Sequence, residues 1–190
     1  EFPLSSISPP RPNGMIGIDK EIDPSAWTLR VGGLYGRDDD LVLSLDDIKA
    51  LPRVESITEL KCIEGWSIVV KWTGARFSDF AARYLPQTLD GGRPDIANAP
   101  EKIVQYVSLA TPDGGYFVGW DMPSIMHPQT LLAYEMNGQP LPPEHGAPLR
   151  LASPTKYGIK LIKRIGRIDF TAERPRDYWA QSGYDWYSGL

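Results

Sequence analysis

Glycine and proline punctuate this chain so densely that long helices are excluded. With 18 of each among 190 residues, a turn former or helix breaker falls at roughly every fifth position, which leaves room only for short strands and brief helices. No break in composition divides the chain, and its length suffices for one domain with its own buried core. The expected fold class is therefore α+β, with mixed, mainly antiparallel sheets and a few short helices.

Pro3, Pro9, Pro10, Pro12 and Pro24 rule out a helix in residues 1–26, so this stretch is expected to run as an extended arm over the surface, ahead of a domain spanning residues 27–190. Apolar and β-branched runs predict strands over residues 27–31, 41–45, 103–109, 116–120, 131–136, 149–152 and 161–170. Thr111-Pro112-Asp113-Gly114-Gly115 and Asn137-Gly138 supply the conformations that tight reversals need. Ser44 with Asp47 predicts a capped helix through Ile48 and Leu51, closed by Pro52. Phe77, Phe80, Ala81 and Tyr84 fall on one helical face between Gly74 and Pro86, predicting a second helix.

A formal net charge of −4 argues against a general nucleic-acid binder, which needs excess cations to displace counterions. No apolar run reaches the roughly 18 residues a membrane helix requires, and no charged-then-apolar leader precedes Glu1, so the chain reads as soluble. A single cysteine allows no internal disulfide and leaves the redox compartment open.

That cysteine, Cys62, ends the β-rich run 56–61 and opens the turn 63–67, at a strand end where functional groups are displayed. A lone cysteine is either a small buried hydrophobe or a ligand. A soft thiolate suits a redox metal when a cofactor supplies the other donors. Zinc held by a cysteine cage is excluded by the count. Residues 150–167 carry Arg150, Lys156, Lys160, Lys163, Arg164 and Arg167 without one acidic residue. Such a patch is either a phosphate cradle or the solvated face of a half-exposed strand. His145 and Arg150 flank a Gly and Pro loop, where they either converge on one ligand or decorate a surface loop. The terminal aromatics, Tyr178, Trp179, Tyr184, Trp186 and Tyr187, are expected to pack the tail against the body rather than stack on bases.

Four segments together resemble the molybdopterin-binding domain of the sulfite oxidase family. They are Cys62-Ile63-Glu64-Gly65-Trp66-Ser67 with Trp72-Thr73-Gly74, then the stretch from Leu131 to Pro142, then His145-Gly146-Ala147-Pro148-Leu149-Arg150. The last is Lys156-Tyr157-Gly158-Ile159-Lys160 through Lys163, with Trp179 and Gly183-Tyr184-Asp185-Trp186 in the tail. The resemblance runs from about Trp27 to the end and implies the fold of that domain, with a molybdenum–molybdopterin cofactor. It implies that Cys62 ligates molybdenum while a pterin dithiolene adds further sulfurs. His145 and Arg150 would hold the pterin and its phosphate, and Lys163, with the backbone of Leu161 and Ile162, would grip the same end. Ser108 matches a cofactor-contacting strand position, and Asn13 is the counterpart in the arm. Glu64 or Tyr157 would relay a proton or shape the substrate pocket, unless they are an ordinary surface carboxylate and a packed tyrosine.

The implied activity is two-electron oxygen-atom transfer on a small substrate. Sulfite-oxidising relatives carry arginines after the ligating cysteine and a Phe-x-Arg motif in the arm, where this chain has Glu64-Gly65-Trp66-Ser67 and Asn13-Gly14-Met15-Ile16. The resemblance is therefore nearest the bacterial periplasmic reductases of protein methionine sulfoxide. Sulfoxide or N-oxide reduction is favoured over sulfite oxidation, in the periplasm rather than the cytoplasm. No haem-attachment motif is present, so a separate haem subunit or cytochrome is the expected electron-transfer partner. Two competing readings are a cysteine nucleophile assisted by His127 or His145 and a non-catalytic pterin-binding module.

Overall fold

A computed structural model describes residues 2–12, 14–18, 22–23 and 25–190. Chain order runs β1 (Leu29–Gly32), β2 (Leu41–Leu43), α1 (Leu45–Lys49), β3 (Arg53–Lys61), β4 (Ser67–Arg76) and α2 (Phe77–Tyr84). It continues with β5 (Tyr106–Ala110), β6 (Phe117–Asp121), α3 (Met122–Ile125), β7 (Leu131–Met136), β8 (Gln139–Pro140), β9 (Arg150–Ala152) and β10 (Arg167–Thr171). Among the described residues these strands form one sheet in the order β2-β1-β10-β5-β6 and another in the order β3-β4-β7-β8, with β9 pairing β7. Every pairing is antiparallel except β1 with β10. The α+β class with mainly antiparallel mixed sheets and short helices is the fold observed.

Local chemistry explains the boundaries. In α1 the Ser44 hydroxyl accepts from the Asp47 N–H at 3.2 Å, and the Asp47 carboxylate accepts from the Ser44 N–H at 2.8 Å, which is the expected reciprocal cap. The α2 face buries Phe77, Phe80 and Ala81 completely. The Phe77 ring lies 5.7 Å from Phe80 and 6.0 Å from Phe170, so one helix face closes against β10. Each such ring contributes about 1.5–3 kcal/mol by burial.

Two expectations about strands fail. β4 was not expected, although Ile68, Val70 and Trp72 alternate along it and are all buried. It is the central strand between β3 and β7. The strand predicted over 161–170 is extended only from Arg167. Arg164 there takes a left-handed φ of 49°, which breaks an extended run. The backbone of 161–166 bonds instead to the preceding loop, through Leu151 N to Ile162 O, Arg164 N to Gly146 O and Ile165 N to Leu149 O. Of the patch's cations, Arg150, Lys156, Lys160, Lys163 and Arg164 are buried, and the solvated strand face holds only at half-exposed Arg167 on β10.

The described part of the arm is gripped by the second sheet. Phe2 N donates to Ile57 O, Ser8 N to Val69 O at 2.9 Å, and Val69 N returns a bond to the Ser8 hydroxyl at 3.1 Å. Asn13 and Pro24 lie outside the described residues.

Candidate cofactor site

Cys62 sits at the tip of the β3–β4 hairpin. Its N–H donates to Trp66 O and its carbonyl accepts from Gly65 N, and Gly65 takes the φ of 88° that this reversal demands. All of these bonds use main-chain atoms, so the side chain is left to point into a cavity of about 210 Å³. Burial pushes the Cys62 thiol above its ordinary range, partly opposed by the Glu64 N–H facing the sulfur. A thiol in this state is a poor free nucleophile, but a soft metal ion would displace its proton.

The cavity brings Cys62 together with Lys163, Leu161 and Glu64, and adds Gly14 and Ile16 from the arm. Lys163 is 8% exposed. Its ammonium donates to Gly14 O and Glu144 O, each at 2.9 Å. Burial and the neighbouring Arg150 charge push Lys163 down to about 7. Glu64 lies on the exposed rim, its carboxylate accepting from Trp66 Nε1 at 2.9 Å.

The remaining expected residues stand behind the cavity wall. Arg150, 1% exposed, donates to His145 O at 3.1 Å and Leu161 O at 3.3 Å. Its guanidinium lies 4.7 Å from the Trp72 ring centroid. It therefore fixes the backbone at His145 and at Leu161, two residues before Lys163, rather than facing the cavity. His145 is buried, and desolvation with the Arg150 and Lys163 charges holds it down to about 4, neutral at ordinary pH. The decorated surface loop is thus overturned for both residues. Ile162 packs in the core. Ser108 stands in the middle of β5 opposite Asp169 and Gly119, away from the residues that line the cavity. Half-buried Tyr157 immediately precedes Gly158 on the wall without lining it.

Sequence reasoning did not assign the cavity's apolar wall, built from Tyr116, Ile159, Trp179 and Tyr184. The signal available was the aromatic cluster of the tail, which does pack against the body as expected. A larger cavity of about 730 Å³, lined by residues such as Ile103, Tyr106, Met122 and Met126, contains none of the expected site residues. Neither histidine lines the Cys62 cavity, and His127 is engaged in a turn where its Nδ1 accepts from Gln129 N. A thiol whose proton is held by burial and by the Glu64 carboxylate, with no histidine beside it, does not support nucleophilic catalysis.

The donor set fits a metal that arrives with its own ligands. Among the described residues no three His, Cys, Asp or Glu side chains converge on a metal position, so the chain offers one soft sulfur and cannot cage an ion alone. Lys163 on the wall of the same cavity, with its charge poorly solvated, suits the anionic end of such a cofactor.

Gly146 holds the site's back wall. At φ 97°, an added Cβ would lie 2.6 Å from Lys163 Cβ and 2.8 Å from Arg164 N. Gly146→Ala is expected to cost about 2–4 kcal/mol of stability, combining the left-handed penalty with overpacking. Urea unfolding of the cofactor-free protein measures it.

The model of the oxidoreductase molybdopterin binding domain matches residues 16–179. The chain belongs to this family. It is 36% identical over 191 residues to a protein of Azospira oryzae provisionally named protein-methionine-sulfoxide reductase subunit YedZ1, covering 99% of this chain and 66% of that one. It is 35% identical to the protein-methionine-sulfoxide reductase catalytic subunit MsrP of Xanthomonas axonopodis, covering 90% of this chain and 54% of the relative. The chain thus spans between about half and two thirds of these relatives. The solved sulfane dehydrogenase SoxCD of Paracoccus pantotrophus has the same fold, with TM-score 0.66 and 20% identity over 82% of this chain and 40% of that one. For this molybdopterin-binding domain, the family's cofactor is molybdenum–molybdopterin. No helix among the described residues is long and apolar enough to cross a membrane.

Proposed function

We propose that this protein is a molybdenum–molybdopterin oxidoreductase that reduces sulfoxides, with Cys62 as the protein's ligand to the metal. The observation that carries the reading is the convergence of the sole thiol, the Lys163 ammonium and an aromatic wall on one cavity. When bound, the cofactor supplies an oxygen-accepting metal that changes oxidation state by two electrons. The balanced reaction consumes a sulfoxide, two protons and two electrons, and yields a thioether and water. Two relatives are named for this chemistry on protein methionine sulfoxide, which supports a methionine sulfoxide side chain as substrate.

The chain's own residues bind and orient. Lys163 and the backbone of Leu161 meet the cofactor's anionic end, and an anion there restores the charge that burial disfavours. Arg150 and His145 act from behind, through the carbonyls and packing that fix Lys163. Ser108 and Tyr157 remain candidates for cofactor and substrate contact once the cavity widens, as does Asn13 in the arm. The cavity of about 210 Å³ is smaller than the roughly 300–1,000 Å³ of small-ligand sites. We infer that the arm wall of Gly14 and Ile16 yields on loading, because the Lys163 ammonium that binds Gly14 O is the group that would turn to the cofactor. Glu64 on the rim is placed to exchange protons with water.

Among the described residues the cavity lining carries one cation, Lys163, with Arg11 stacked on the Trp66 ring nearby, and this modest positive charge favours a neutral sulfoxide over sulfite. Electrons would come from a separate haem subunit or cytochrome, in keeping with the relatives' designation as subunits. We place the protein in the periplasm by its resemblance to the exported reductases. The test uses protein made where the cofactor is synthesised, with a reduced dye as donor and an oxidised dye as acceptor. Sulfoxide reduction without sulfite oxidation is expected; sulfite oxidation without sulfoxide reduction would overturn the reading, and molybdenum retention without either activity would mark a non-catalytic module.

A further inference from the structure

The wall of the Cys62 cavity has two halves, and one buried ion pair joins them. Gly158, Ile159 and Leu161 line the cavity from one segment, and Trp179 and Tyr184 line it from the tail. Lys160, which is fully buried, donates from Nζ to Asp177 Oδ2 and to Trp186 O, each at 2.5 Å. Asp177, 2% exposed, also accepts from Gly119 N at 3.1 Å through Oδ2 and from Ala180 N at 3.2 Å through Oδ1. Its own carbonyl accepts from Gln181 N, and Tyr184 N closes the turn onto Trp179 O. The Lys160 ammonium lies 4.6 Å from the Trp186 ring centroid, and the Trp179 and Tyr184 rings meet edge to face at 5.3 Å.

A pair this deeply buried is an expensive way to hold a tail. Well-packed apolar residues of similar volume commonly give equal or greater stability, because the desolvation of two charges offsets their attraction. What apolar packing lacks is direction. Asp177 fixes by hydrogen bonds the turn bearing Trp179, while Lys160 belongs to the segment bearing Ile159. The two rigid attachments therefore tie together two segments that line the cavity of the thiol.

We propose that the Lys160–Asp177 pair positions Trp179 and Tyr184 against Ile159, and so sets which sulfoxide side chains reach the metal site. The pair touches neither the thiol nor the cavity, and it acts through the rings it holds. This inference rests on the reading of the Cys62 cavity as the substrate entrance.

The test compares native protein with the neutral double variant Lys160→Met/Asp177→Asn, with Asp177→Asn alone, and with Trp179→Ala. In cofactor-free full-length protein, the rate of Cys62 alkylation is measured with iodoacetamide and with a bulky fluorescein maleimide. The maleimide-to-iodoacetamide ratio is expected to rise on the order of tenfold in the double variant and in Trp179→Ala, the discrimination that one methylene of fit provides. Asp177→Asn, which keeps one acceptor oxygen but sets its NH2 against either Gly119 N or Ala180 N and leaves Lys160 without a carboxylate, shifts the ratio in the same direction. In loaded enzyme, the KM for methyl p-tolyl sulfoxide falls relative to that for dimethyl sulfoxide in the double variant, whereas a purely structural pair would leave this ratio fixed. Folded variants with native alkylation and KM ratios would overturn the proposal, as would Trp179→Ala with a native alkylation ratio. If the double variant does not fold, Asp177→Asn decides by the same ratios. Native enzyme that reduces no sulfoxide would defeat the proposed function, while the alkylation ratio would still judge the pair.

Discussion

Replacing Cys62 with serine is expected to strip the protein of molybdenum and of sulfoxide reduction while leaving its fold intact. The substitution exchanges a soft, polarisable sulfur for a hard hydroxyl oxygen that holds its proton far more tightly, so the anionic ligand is lost at neutral pH. Nothing nearby replaces it, because no other thiol exists and neither histidine lines the cavity. Loss of even an indirect supporter of a metal ligand costs about 10–100-fold in metal affinity or activity, and loss of the ligand itself should exceed that range. The hairpin tip depends on the bonds of Cys62 N to Trp66 O and Gly65 N to Cys62 O, which serine keeps. Stability should therefore change by less than about 1 kcal/mol. Elemental analysis, dye-linked activity and urea unfolding on the same preparations check all three claims. Wild-type molybdenum content and redox activity in Cys62→Ser would remove the thiolate from the metal site.

Arg150→Ala is expected to act in the opposite order, on the fold first and on the cofactor as a result. Burial pushes Arg150 down to about 10, still charged at neutral pH, and its guanidinium satisfies His145 O and Leu161 O inside the protein. Alanine leaves those carbonyls without a donor, opens a cavity beside Trp72 and removes a cation from its ring. Each buried group left unsatisfied costs about 1–3 kcal/mol, so a loss of about 3–5 kcal/mol is expected by urea unfolding of cofactor-free protein. Arg150→Lys should recover only part of it, since an ammonium cannot reproduce the planar fork. Cofactor retention should fall with stability, because Lys163 follows the braced Leu161 and its ammonium binds Glu144 O beside the braced His145. A variant within about 1 kcal/mol of native stability would show that Arg150 is not the brace described.

The residues differ in how openly they announce themselves. The α1 cap and the α2 face are written in local spacing, Ser44 with Asp47 and Phe77 with Phe80 and Ala81, and local physics settles them. Segment 161–166 is different. Its apolar and cationic alternation has the period of a half-exposed strand, yet Lys160, Lys163 and Arg164 turn inward because carbonyls, the Asp177 carboxylate and the arm await them from distant parts of the chain. Long-range partners of that kind leave no periodic trace. For the site, Cys62, Leu161 and Lys163 were legible through family resemblance, and they do share a cavity. That Arg150 and His145 stand behind the wall was not legible, since a motif records which residues are needed without recording what they face. The Trp179 and Tyr184 wall was hidden for the opposite reason: aromatics near a chain end read as packing, and here the packing is itself the boundary of the cavity.

The cavity draws its lining from Gly14 near one end of the sequence and from Tyr184 near the other. On a ribosome, the thiol-bearing hairpin emerges early, but its aromatic wall does not exist until residues as far as Tyr184 have cleared the exit tunnel. If Cys62 holds the metal as proposed, a closed cofactor site forms only once both ends of this lining have folded together, so loading would follow folding rather than accompany synthesis.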